Sequence, residues 1–347
     1  RHLRLGFDEI VERDFTPLST AEATVFNDAL PAPKKTDETE VALLRALDAD
    51  VQQQIADLTP KNAQSMSEYR NVVGGAFEVM IGRQIPASGT IKYEKLTETE
   101  RDGFIEYSSW LRNPEHGEEL PTIFLYPESW NGEVVVWVDG AGKSGVFNSD
   151  GTPIKPVARL VKAGYAIAAV DVLLTGEFLK DGQSLTQSRR VNNTREFLGY
   201  TLGYNNPLFS QRVHDIHTVL SYAKHHDEGP KKLHLVGVNG GGVLAAAACA
   251  TAGGIVTSLA VDTGGFRFGT ISDLRDVNLL PGAVRYGDVP ALLALCAPTS
   301  VLVAGEGSKV PQLVRAAFKA SNSSATVLTV DASEVGSGIA DWLIGSK

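Results

Sequence analysis

From residue 133 onward the chain alternates short runs of Val, Ile, Leu and Ala with stretches of helical length. Strand-like runs fall at 133–138, 166–172, 233–238, 258–262, 300–304 and 325–330. Helix-like runs lie between or beyond them at 154–163, 211–224, 241–252, 289–295 and 310–320. Strands this apolar along their whole length are buried on both faces, the condition of a parallel sheet. Parallel neighbours need crossover connections, which place helices on both faces of the sheet. The alternation therefore predicts an α/β fold with a mostly parallel central sheet. The polar stretch 173–210 between two of the strands predicts an excursion over the carboxyl edge of the sheet, where sites are built.

The preceding chain reads differently. Val41, Leu44, Leu47, Val51 and Ile55 are spaced for an amphipathic helix over 38–58, and a second helix is expected over 67–81. Residues 90–97 and 104–111 flank a turn region at 98–103 and predict an antiparallel hairpin, with a further strand at 122–126. The expected organisation is a partly helical N-terminal extension, 1–85, packing on a main α/β domain, 86–347.

Composition narrows the function classes. Hydrophobic residues make up 43% of the 347, enough for a large core. The formal net charge of −9 argues against nucleic-acid binding, which needs a basic stripe. No apolar run approaches the ~20 residues that span a bilayer. Cys249 and Cys296, the two cysteines, read as buried free thiols; no zinc spacing is present.

The informative segment is Leu233-His234-Leu235-Val236-Gly237-Val238-Asn239-Gly240-Gly241-Gly242-Val243-Leu244-Ala245. It reads as a buried strand, a sharp glycine-rich turn and an alanine-rich helix, the context of a G-x-S-x-G nucleophile elbow. Gly237 and Gly241 occupy the flanking glycine positions, but Asn239 stands where the serine would be. An amide nitrogen has a delocalised lone pair, and no neighbouring base activates it as it activates Ser or Cys.

A triad also needs an acid and a histidine at set positions. Glu306 follows the strand two beyond the elbow strand and is a candidate acid, with a solvated loop carboxylate as the plainer reading. The histidine should follow the last strand, but the chain there runs Asp331-Ala332-Ser333-Glu334-Val335-Gly336-Ser337-Gly338. All seven histidines (2, 116, 214, 217, 225, 226 and 234) precede the elbow. Without Ser and His the usual acyl transfer cannot run. Asp139-Gly140-Ala141-Gly142 after the first parallel strand has the small residues of an oxyanion loop, so the backbone of Gly140 and Gly240 is the candidate oxyanion hole. Ser144 in the same loop is an alternative nucleophile.

Nucleotide readings fail. Gly142-Lys143-Ser144 resembles the end of a P-loop, but its first glycine would fall on Trp137. Gly237 to Gly242 nearly fits G-x-G-x-x-G, but Asn239 takes the middle glycine's place, where pyrophosphate approaches most closely. No cofactor is expected. His214 and His217 share a predicted helix at a spacing suited to a metal pair, but no third ligand is marked and no metal is assigned. Asp171 and Asp262 end predicted strands and are expected to cap loop N–H groups.

Several stretches carry a resemblance: 134–147 with Gly142-Lys143, Gly164-Tyr165-Ala166 leading to Val170-Asp171, and Thr175-Gly176-Glu177. Leu202-Gly203-Tyr204-Asn205, Gln211-Arg212-Val213-His214-Asp215 and Leu280-Pro281-Gly282 through Asp288 to Ala297-Pro298 add to it. Together they resemble α/β-hydrolases of the acetyl xylan esterase type, over most of residues 68–345. The resemblance implies the α/β-hydrolase fold, a Ser–acid–His site acting on carbohydrate esters, and a bacterial, secreted or periplasmic setting. This sequence departs from it at Asn239 and at the missing histidine. Arg1-His2-Leu3-Arg4-Leu5-Gly6 also looks like the junction after a first hydrolase domain in tandem-domain relatives. The expectation is a degenerate second domain whose partner is a preceding catalytic domain.

Overall fold

The computed structural model describes residues 14–180, 184–188 and 202–345. The Arg1 to Gly6 stretch read as a domain junction lies outside them, as does much of the 173–210 excursion. The chain forms two compact units, Arg1–Asp50 and Val51–Lys347. In the first, a short helix α1 (Thr20–Ala23) is held by a reciprocal Ser19–Glu22 capping box. Helix α2 (Asp37–Asp57) begins there and ends in the second unit.

The second unit opens with α3 (Ala63–Tyr69) and α4 (Gly75–Ile81), joined without a break by a one-turn π-bulge at Arg70–Gly74. The single helix expected at 67–81 therefore carries one wide turn. Gly74 in that turn faces the Leu295 side chain. Met66, Tyr69, Val73, Phe77 and Ile81 are fully buried in the core of this unit.

The hairpin is longer and tighter than its sequence suggested. Strands β1 (Lys92–Arg101) and β2 (Phe104–Asn113) enclose only Asp102-Gly103, with Gly103 at φ 82°. Asp-Gly is the pair that a two-residue hairpin turn selects, so pairing continues to the Arg101–Phe104 rung. A bulge interrupts β1 between Lys95 and Thr97. Strand β3 (Glu118–Pro127) pairs antiparallel with β2.

The parallel part follows the alternation: β4 (Glu133–Asp139), β5 (Ala166–Val170), β6 (Lys232–Val238), β7 (Ser258–Asp262), β8 (Ser300–Ala304) and β9 (Ala325–Val327). The nine-stranded sheet has the order β1-β2-β3-β5-β4-β6-β7-β8-β9. Helices α5 (Lys155–Lys162), α6 (Leu208–Lys224), α7 (Gly242–Thr251), α8 (Asp288–Leu295) and α9 (Gln312–Ala320) connect the strands. Alternate residues of one strand feed opposite cores: Val136 and Val138 face α6 to α8, while Val135 and Trp137 face α5. A final helix, α10 (Val335–Gly345), buries Ile339, Ala340 and Leu343 in the second core. It begins within the segment that follows the last expected strand. Its glycines serve close packing, since a Cβ on Gly336 would stand 2.9 Å from Pro156 Cγ. The last strand stops at Val327 rather than continuing to 330.

Where β6 turns into α7, backbones touch. A Cβ on Gly242 would fall inside contact distance of the Asp262 carbonyl, and one on Gly237 would stand 2.6 Å from Ala245 Cβ. Gly75 has open space and an ordinary helical φ. Gly242→Ala is expected to lower unfolding free energy by at least ~2 kcal/mol through overpacking. Gly75→Ala should be neutral or stabilising by up to ~1 kcal/mol. Urea unfolding of the two variants beside the parent checks the contrast; equal stabilities would show that the turn tolerates a methyl.

Candidate functional site

The site is built where β4 and β6 end. Asn239, the first residue past β6, is exposed and has φ 51°; Gly240 follows at φ 93°. Two successive positive φ values make the turn sharp enough to reverse directly into α7. Asparagine is among the few non-glycine residues that adopt this region at small cost. The Asn239 side chain lies against the end of β4: its Nδ2 donates to Asp139 Oδ2 at 2.8 Å. Asp139 is 3% exposed, and its Oδ1 accepts from the Ala141 N–H at 2.9 Å. Burial pushes the Asp139 carboxyl above its ordinary value, while the bonds from Ala141 and Asn239 pull it back.

The loop after β4 threads tightly between this turn and β5. Gly140 can carry no side chain, because the Asn239 carbonyl occupies that space. Gly142, at φ 74°, leaves room in the same way for the Asp171 carboxylate. Asp171 Oδ1 accepts from the Lys143 N–H at 2.7 Å, and its Oδ2 from Lys143 Nζ at 2.8 Å and the Glu177 N–H at 3.0 Å. Lys143 Nζ also reaches Glu177 Oε1 at 2.5 Å. Asp262 likewise accepts from the Gly264 N–H at 2.9 Å. Both strand-end aspartates hold loop N–H groups.

Glu306 sits just past β8, with its side chain 3% exposed rather than solvated. It accepts from Thr263 Oγ1 at 2.6 Å and from Arg267 Nη1 at 2.8 Å, and Arg267 Nη2 bonds its second oxygen. That bidentate cation fixes the carboxylate in place. Ser144 lies exposed in a 3-10 turn, its hydroxyl donating to the Ala141 carbonyl at 3.0 Å. Among the described residues, no histidine is hydrogen-bonded to Asn239, Glu306 or Ser144.

The histidines of α6 turn into the interior instead. His214 Nε2 bonds the Ile81 carbonyl at 2.6 Å, and His217 Nε2 bonds the Ala248 carbonyl at 3.1 Å. Three-residue spacing places them near one face, but their rings go to different helices. The residue type alone showed neither this nor the Asp139 and Arg267 pairings, whose partners are far apart in sequence. Asp139 did carry one signal, a carboxylate closing an apolar strand immediately before Gly-Ala-Gly.

The strand order, the antiparallel β3 beside β5, and the elbow between β6 and α7 decide the architecture. The chain has the α/β-hydrolase fold. No family model matches it, and no curated protein matches it in sequence. Among solved structures it is similar to a protein assigned as an acetyl xylan esterase from Bacteroides fragilis, with TM-score 0.58, 15% identity and 81% of each chain covered. It is also similar to a promiscuous CE15 esterase from a marine bacterial metagenome, with TM-score 0.51, 10% identity, 74% of this chain and 85% of that one. Identities this low carry the architecture and not the chemistry.

Burial holds His214 and His217 down at about 4, so both are neutral in the fold. In an unfolded chain they titrate near ~6.5. Between those values the unfolded state binds more protons, so stability is full above ~6.5 and falls as pH drops through about 4. The two histidines contribute a loss of about 1–3 kcal/mol between pH 7 and pH 5 in urea titrations, opposed in part by Asp215, which burial pushes up to about 8. His217→Gln, which keeps a donor for Ala248, should reduce that loss. An unchanged pH slope in His217→Gln would refute the assignment.

Proposed function

We propose that this chain is an esterase-like α/β-hydrolase domain that has lost its nucleophile and serves carbohydrate-ester breakdown by binding or by supporting a catalytic partner. One observation carries the reading: the Asn239 amide at the elbow is bonded to the buried Asp139 carboxylate at 2.8 Å. An amide in that place has no nucleophilic atom for the carboxylate beside it to activate. Glu306, committed to Arg267, supports the same reading. The proposed organisation is an extension over 1–85 on a hydrolase domain over 86–347, with a preceding catalytic hydrolase domain as partner.

The rival is a live carboxylic ester hydrolase with a displaced nucleophile, and the exposed Ser144 hydroxyl is the group that would serve it. Hydrolysis of p-nitrophenyl acetate separates the two. The parent chain, Asn239→Ala and Ser144→Ala are expected to show only the buffer rate. Asn239→Ser should stay there as well, since a serine without an imidazole lacks its base. Turnover that survives Asn239→Ala and disappears in Ser144→Ala would overturn the proposal.

A further inference from the structure

At the edge of the sheet where β4 and β5 begin, opposite the elbow, a cleft of about 400 Å³ opens between the β1–β3 ribbon and the last turns of α6. Its floor is formed by Val134, Ala166 and Ile167. Its walls are aromatic. Tyr93 stacks on Tyr222 at 5.5 Å between ring centroids and 9° between planes, and Phe124 packs edgewise against Tyr93 at 6.1 Å. Across the cleft, Tyr126 lies 5.7 Å from Trp130.

A second cavity of about 310 Å³ adjoins this one and shares Tyr93, Tyr222 and His226 with it. The stacked pair thus lines both cavities. The second cavity has a more polar lining, including Ser221, His225 and Asp227.

Three features identify the occupant. First, cavities of this size suit small molecules, since ligand pockets run from ~300 to ~1,000 Å³. Two joined cavities suit a ligand of several linked units. Second, the lysine at the rim is already paired. Lys95 bonds Glu98 at 2.5 Å while lying 5.7 Å from the Tyr107 ring centre, and Glu228 accepts from the Tyr126 hydroxyl at 2.6 Å. No unpaired lysine or arginine among the lining residues calls for an anionic ligand. Third, tyrosine and tryptophan present an apolar face with a polar edge. The complementary ligand has C–H faces and a hydroxyl rim, which describes a sugar ring.

We propose that the paired cavities around Tyr93 and Tyr222 bind a neutral oligosaccharide, one ring in the apolar slot and the next in the adjoining cavity. This rests in part on the carbohydrate reading of the domain, but it locates binding away from the elbow.

Xylotetraose and cellotetraose are the probes, with a galacturonic acid tetramer as the charged counterpart and p-nitrophenol as a planar aromatic. Binding is followed by calorimetry and by the fluorescence of Trp130 and its fellows. A neutral tetrasaccharide should bind the parent and Asn239→Ala equally. Tyr222→Ala and Tyr93→Ala should weaken it about tenfold, the loss of one aromatic contact of ~1.4 kcal/mol. Tyr93→Phe, which keeps the ring, should retain most of it, and circular dichroism melts check that each variant folds. Three results would overturn the proposal: no neutral tetrasaccharide binding at millimolar concentration, binding of p-nitrophenol or the charged tetramer alone, or binding lost in Asn239→Ala and unchanged in Tyr222→Ala. The last would leave the domain's carbohydrate role standing at the elbow. Ester turnover together with sugar binding that depends on Tyr222 would overturn the retired-enzyme reading and keep this one.

Discussion

Backbone meets backbone at the elbow, and the rest of the molecule is arranged around that contact. Helix α7 lies close enough to β6 and β7 that Gly242 abuts the Asp262 carbonyl, Gly241 the Val138 carbonyl and Gly237 the Ala245 methyl. Because α7 is an almost wholly buried run of alanine and small apolar residues, the close approach lets α6 and α8 pack on either side of it. The same contact fixes residue 239 at the outer point of the turn, exposed above a packed sheet. Position 239 is thus set by packing requirements that do not depend on which side chain stands there.

The carboxylates at the carboxyl edge all have structural employment. Asp171 ties Lys143 and the 176–177 turn, Asp262 holds Gly264, Glu306 holds Arg267 and Thr263, and Asp139 holds Ala141 and Asn239. A carboxylate bonded to a guanidinium or to loop amides is held in one position by those partners. The loops at this edge are braced by its own carboxylates.

The parallel half of the fold was legible because its strands are apolar from end to end, a pattern only doubly covered strands show. The elbow was legible because Gly237, Asn239 and Gly241 stand in fixed spacing. Other parts were hidden for identifiable reasons. Gly336 and Gly338 look like helix breakers, yet α10 uses them to approach Pro156 and Leu328. Asp102-Gly103 was absorbed into a longer turn because the polar residues of β1 look like loop. The pairing of Asn239 with Asp139 joins residues 100 apart and that of Arg267 with Glu306 residues 39 apart, so no local pattern announces them. The ring orientations of His214 and His217 depend on which helices lie alongside α6, which periodicity does not specify.

Strand β1 closes one side of the sheet with ten residues that are nearly all exposed. An open strand of that length is a template on which another chain's strand can add. Its sequence, Lys-Tyr-Glu-Lys-Leu-Thr-Glu-Thr-Glu-Arg, puts charges of both signs along the open side, and the bulge after Lys95 breaks the even spacing of its free amides and carbonyls. An incoming strand would have to strip water from those charges and follow a kinked ladder. Sheet growth therefore ends at β1, and the molecule is protected there against joining its neighbours into a continuous β-structure.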